Sequence, residues 1–138
     1  MSNYYYHDGK RTKNPLPVPT EAEEQKALFN WAAHMMGTWP ELELMYHTPN
    51  EGKRSPKQGY VMRQEGLKKG VPDICLPVPR GKYHGLYIEL KRLNGGRKTH
   101  EQKYYINALR QLGYAAEFRN GWQAAAELII KYLEGSEL

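Results

Sequence analysis

The segment from Gly70 to Lys91 constrains this chain most. It contains Gly70-Val71-Pro72-Asp73-Ile74, a loop, and then Leu86-Tyr87-Ile88-Glu89-Leu90-Lys91, setting an Asp at the mouth of one short apolar strand and a Glu-x-Lys triplet along the next. Side chains alternate faces along a strand, so Leu86, Ile88 and Leu90 point one way while Tyr87, Glu89 and Lys91 point the other. If the two strands pair, two carboxylates and one ammonium converge in an otherwise apolar sheet, which suits a divalent cation and an attacking water. On the triplet alone, a solvated ion pair on a half-exposed strand accounts for these residues at least as well.

The charge distribution adds to the case. The 138 residues carry a net +5, but residues 51–103 hold 13 Lys or Arg against five Asp or Glu, and the rest of the chain is net negative. Basic surface around a carboxylate pair favours a polyanionic substrate, nucleic acid first among them. The candidate DNA contacts are Lys53, Arg54, Lys68, Lys69, Arg92, Arg97 and Lys98.

One domain is expected at this length, large enough for a hydrophobic core without staples. The single cysteine, Cys75, excludes an intramolecular disulfide and, between Ile74 and Leu76, reads as a small buried hydrophobe. Five scattered histidines give no zinc spacing. With neither a long apolar run nor a signal-like N-terminus, the expectation is a protein of a reducing cytoplasm with no membrane span.

Residues 1–19, with Tyr4-Tyr5-Tyr6, Lys10-Arg11 and three prolines, show no helical or strand periodicity and read as an extended arm, leaving residues 20–138 as the domain. Thr20-Glu21-Ala22-Glu23 matches a capping box, opening a helix that runs to about Met36. Its apolar stripe of Leu28, Trp31 and Met35 extends back to Glu24 and Glu21. Two carboxylates therefore lie on the buried side of the first turns, where favourable placement at a helix N-terminus would also explain them.

Residues 42–47 read as a strand, and Ser55-Pro56 as a helix start. Residues 73–78 form a strand that Pro77 and Pro79 keep short. After the basic loop Asn94-Gly95-Gly96-Arg97-Lys98 comes a second capping box, Thr99-His100-Glu101-Gln102. Its helix places Tyr105 or Ile106, Leu109 and Leu112 on one face and ends at Gly113. Residues 114–119 should be a strand and residues 122–133 a closing helix with Ala125, Ala126, Ile129 and Ile130 inward. Gln102 has two readings, as the capping-box partner and as an amide facing the acidic site.

A helix bearing Glu, strands bearing Asp and Glu-x-Lys, and a helix bearing Gln, in that order, resemble the PD-(D/E)xK nuclease superfamily. Glu21-Ala22-Glu23-Glu24-Gln25, Gly70-Val71-Pro72-Asp73-Ile74, His84-Gly85-Leu86-Tyr87-Ile88-Glu89-Leu90-Lys91 and Thr99-His100-Glu101-Gln102 resemble the VRR-NUC family, particularly its small standalone bacteriophage and prophage members. The resemblance implies an α/β fold of restriction-endonuclease type, a central mixed sheet flanked by helices. It further implies Mg²⁺ or Mn²⁺ and hydrolysis of DNA phosphodiesters, in the host cytoplasm if the chain is phage-encoded. By the same resemblance Asp73, Glu89 and the Leu90 backbone carbonyl would ligate the metal, with Glu21, or Glu24 on the same stripe, as a further ligand. Lys91 would orient the water and stabilise developing charge, and Gln102 would support the water or nearby backbone. Standalone members resemble Holliday-junction resolvases, so a homodimer acting on branched DNA is expected. The competing expectations are a nicking, flap or duplex nuclease and a non-catalytic DNA-binding subunit that keeps the nuclease fold.

Overall fold

The structure, a computed structural model, describes residues 17–49 and 55–138, together with the backbone of two short strands, β1 (Tyr6–His7) and β2 (Lys10–Arg11). These two pair antiparallel, a ladder that the aperiodic sequence of the arm does not announce. The rest of the arm lies outside the described residues, as do Lys53 and Arg54.

Helix α1 (Glu21–Met35) starts where Thr20 Oγ1 accepts the Glu23 N–H, one of the four amides a helix start leaves without partners. Helix α2 (Pro56–Gln64) has the full capping box of Ser55 and Gln58, with Pro56 in the first turn. Strands β3 (Tyr46–His47), β4 (Ile74–Leu76), β5 (Leu86–Lys91) and β6 (Ala115–Asn120) form one sheet in that spatial order. The first three run antiparallel, and β5 and β6 are parallel, joined through α3 (His100–Gln111). Helix α4 (Trp122–Leu133) closes the fold.

The expected alternation along β5 sorts the two layers. Leu86, Ile88 and Leu90 are buried with Leu28 and Ala32 of α1 and Ala125, Leu128 and Ile129 of α4. On the other face α3 lays Ile106 and Leu109 against Ala116, flanked by Tyr87 and Phe118. Among the described residues no helix is long and apolar enough to cross a membrane.

Two expectations change. Residues 42–47 are not one strand: a 3-10 turn spans Pro40–Leu44 and only Tyr46–His47 pair in the sheet. The alternation Glu41-Leu42-Glu43-Leu44 imitates a strand. The buried residues are Leu42 and Met45, three apart as a 3-10 turn brings them together, whereas Leu44 is 57% exposed. Leu112 is not inward but 67% exposed. It is the C-cap, where the backbone leaves the helix just before Gly113 takes φ +91°.

Helix α4 begins at Gly121, which has no side chain to cap it. The cap comes from α1: the buried Glu24 carboxylate accepts the Trp122 N–H at 2.7 Å, a charge-assisted bond at the positive end of the helix. Glu24→Ala is expected to cost roughly 1–3 kcal/mol by leaving that amide unpaired. Glu24→Gln, which keeps an acceptor, should lose less. Urea unfolding of the three proteins checks this.

Candidate active site

The acidic pair is built by β-sheet register. Ile74 faces Ile88 across the β4–β5 ladder, so the next residues outward set Asp73 opposite Glu89. Each carboxylate holds the other's strand. Glu89 Oε2 accepts the Asp73 N–H at 3.2 Å, and Asp73 Oδ2 accepts the Leu90 N–H at 3.1 Å. Lys91, next on the same face, brings Nζ to 3.3 Å from Glu89 Oε1.

Gln102 satisfies both of its readings. Its Oε1 accepts the Thr99 N–H at 3.0 Å and closes the capping box, while its Nε2 donates to Glu89 Oε1 at 2.7 Å. The same amide that starts α3 thus orients a site carboxylate. Gly70 makes this docking possible. Its φ is +83°, and a Cβ there would lie 2.4 Å from the Glu101 carbonyl carbon and 2.8 Å from Gln102 N. The backbone of the Gly-Val-Pro-Asp loop lies against the first turn of α3, an approach that only glycine allows.

A cleft of about 360 Å³ opens over Asp73 and Glu89, lined also by Glu21, Lys68, Lys69, Glu101 and Gln102. Glu21 therefore stands at the cleft, whereas Glu24 does not line it and caps α4 instead. Arg92, Arg97 and Lys98 are exposed on the segment after β5. Asn120 holds that segment by donating to the carbonyls of Arg92 at 2.8 Å and Gly95 at 3.1 Å, and Lys98 Nζ lies 4.7 Å from the centre of the Phe118 ring. The Asn120 clasp has no sequence signal, since an Asn at a strand end is an ordinary turn residue.

The bland reading of the Glu-x-Lys triplet does not survive the burial. The Lys91 and Glu89 side chains are only 5% and 4% exposed, so this is no solvated surface pair. Burial foremost, and then the neighbouring Asp73 charge, push the Glu89 carboxyl up to about 8, with Lys91 opposing. Asp73 is raised as well, again chiefly by burial, against the Leu90 N–H that favours its charged form. Two adjacent carboxyls that resist ionising together are relieved by a proton or by a cation beside them.

The donors present are all oxygen, which suits a hard ion. Among the described residues no three His, Cys, Asp and Glu side chains group closely enough to hold a metal on their own. Mg²⁺ keeps several waters and is held by one or two carboxylates, a number that Asp73 and Glu89 could supply.

A mixed sheet that presents Asp73 and the Glu89-x-Lys91 pair at the ends of adjacent strands, with Gln102 of α3 against Glu89, is the arrangement that the PD-(D/E)xK resemblance leads one to expect. The VRR-NUC domain model matches residues 20–122. The chain belongs to the VRR-NUC family. A solved structure described as a VRR_NUC domain protein is similar to it, with a TM-score of 0.74 at 26% identity over 88% of this chain and 94% of that one. No curated protein matches the sequence.

The raised carboxyl makes stability depend on pH. With its pKa moved from 4.5 to about 8, folded Glu89 retains a proton that the unfolded chain releases. This contribution is full below the ordinary value and is lost as pH rises through about 8. The melting temperature measured in chelator should fall across that range, Glu89→Gln should flatten the fall, and Mg²⁺ should restore stability most on the alkaline side.

Proposed function

We propose that this chain is a divalent-metal-dependent endonuclease that hydrolyses DNA phosphodiester bonds, with branched DNA such as Holliday junctions as substrate. The observation that carries this reading is that Asp73, Glu89 and Gln102 line one cleft, with the buried Lys91 bringing Nζ to 3.3 Å from Glu89 Oε1. A buried ion pair is a weak source of stability, because desolvation offsets its attraction. A binding surface has no use for two carboxylates beside a phosphate, which argues against the non-catalytic subunit.

Asp73, Glu89 and the Leu90 carbonyl would hold Mg²⁺ or Mn²⁺, with Glu21 reaching it directly or through water. Such an ion, when bound, polarises a phosphoryl oxygen and lowers the pKa of an attacking water. Lys91 offers a fixed, water-excluded positive charge to the phosphate as negative charge builds in the transition state. Gln102 keeps Glu89 in one orientation. Lys68 and Lys69 at the cleft, with Arg92, Arg97 and Lys98, would hold the DNA backbone through phosphates and so would Lys53 and Arg54. The preference for branches follows the small standalone relatives that the motifs resemble.

Cleavage of labelled junction, flap and linear duplex DNA with Mg²⁺ or Mn²⁺ tests this directly. Junctions should be cut fastest, whereas preferred cutting of flaps or plain duplex would move the reading to the alternative substrates. Lys91→Ala should lower the cleavage rate by a factor on the order of 10² to 10³. Because one buried cation adds little to a broad basic surface, its DNA affinity in gel shifts should stay within about threefold. Equal losses in both would make Lys91 a phosphate contact only.

The enzyme is expected to act as a homodimer, in which two paired sites address two strands of one junction. Light scattering over a range of concentrations should give twice the chain mass. A strict monomer that still cuts junctions symmetrically would defeat this part of the reading.

A further inference from the structure

On the sheet face that carries Asp73, Glu89 and Lys91, side chains from neighbouring strands line up in rows. The row beside the acidic pair is Tyr46, Cys75, Tyr87 and Ala116, one residue from each of the four strands. It lies two residues along each strand from Asp73 and Glu89, about 7 Å away. Helix α3 covers the Ala116 end through Ile106 and Leu109.

The opposite end of the row is open. Cys75 is sealed at 3% exposure, yet Tyr46, on the two-residue edge strand, is 49% exposed. Tyr46 pairs with Cys75 across the β3–β4 ladder, and Cys75 in turn with Tyr87 across β4–β5. An edge strand ordinarily turns charged residues outward to discourage contacts. Here it presents an aromatic ring on the sheet face that carries the acidic pair, over which Lys68 and Lys69 line the cleft.

The charge of that cleft selects the occupant. A strand whose phosphate lies at the acidic pair, beside two lysines, carries its next base to about the distance of the tyrosine row. In duplex DNA that base is paired and stacked inward, out of reach. An unpaired base at a branch, a flap or a frayed end can turn onto an aromatic face. Resting on the nuclease reading above, we propose that Tyr46, paired with Cys75 at the open end of the row, is a stacking shelf for an unpaired nucleobase next to the scissile phosphate. The shelf selects strands with an unpaired base there and rejects continuous duplex.

The test uses binding, so it is independent of cleavage. DNA carrying 2-aminopurine is prepared with the probe either unpaired beside a branch or fully paired in duplex, and is titrated with the full chain in buffer containing Ca²⁺, a hard cation that carboxylates accept. Wild type, Tyr46→Phe and Tyr46→Trp should quench the unpaired probe by stacking. Tyr46→Leu should lose the quench, and its preference for the unpaired over the paired DNA should fall by about tenfold. Retained quenching in Tyr46→Leu, or equal weakening toward both DNAs, would overturn the shelf. So would light scattering in which Tyr46→Leu alone changes the oligomeric state, since the ring would then be a contact between copies. A wild type that stacks the unpaired base yet cuts no DNA would refute the nuclease reading and leave the shelf standing.

Discussion

The crossed hydrogen bonds between Asp73 and the neighbouring strand are the constraint on which the rest of this site depends. Each carboxylate accepts a backbone amide from the strand that carries the other, so the catalytic candidates are also the stitches that close the end of the β4–β5 ladder. A consequence is that their separation follows from strand spacing and not from flexible loops. Two carboxyls fixed this way, and buried, resist ionising together, and Glu89 moves up to about 8. The local fold therefore sets up an electrostatic tension that a proton or a cation relieves.

Helix α3 is tied to the same point by its own start. Capping needs an acceptor for the Thr99 amide, and the Gln102 side chain provides it with one end while its other end holds Glu89. Because an amide has distinct donor and acceptor ends, the cap also decides which end faces the carboxylate. Gly70 lets the Asp73 loop come against this turn, where any Cβ would meet the Glu101 carbonyl group. Local rules of helix capping and glycine geometry thus become the positioning device of the site.

Burial divides the positive charge into two kinds. Lys91 is enclosed next to Glu89, whereas Lys68, Lys69, Arg92, Arg97 and Lys98 are exposed to solvent. The exposed group favours polyanion contact that weakens with salt. The enclosed one sits where low dielectric strengthens each interaction, and it suits charge developing at a single atom.

Period-two alternation in Leu86–Lys91, the capping boxes and the terminal Gly113 were legible in the chain because they are local: strand pleat, helix ends and positive φ depend on near neighbours. The same locality brought Asp73, Glu89, Lys91 and Gln102 to attention. It misled at Glu41-Leu42-Glu43-Leu44, where an alternating pattern was overruled by the burial of Leu42 and Met45 against the core. What only the tertiary structure decided was partnership across the chain. Glu21 and Glu24 share a stripe on α1, but one lines the cleft while the other caps a helix 98 residues away, and no local pattern distinguishes them. The Asn120 clasp and the row of Tyr46, Cys75 and Tyr87 are likewise products of strand order. Register and helix docking are set by packing of the whole sheet, and that free energy is not written in any single segment.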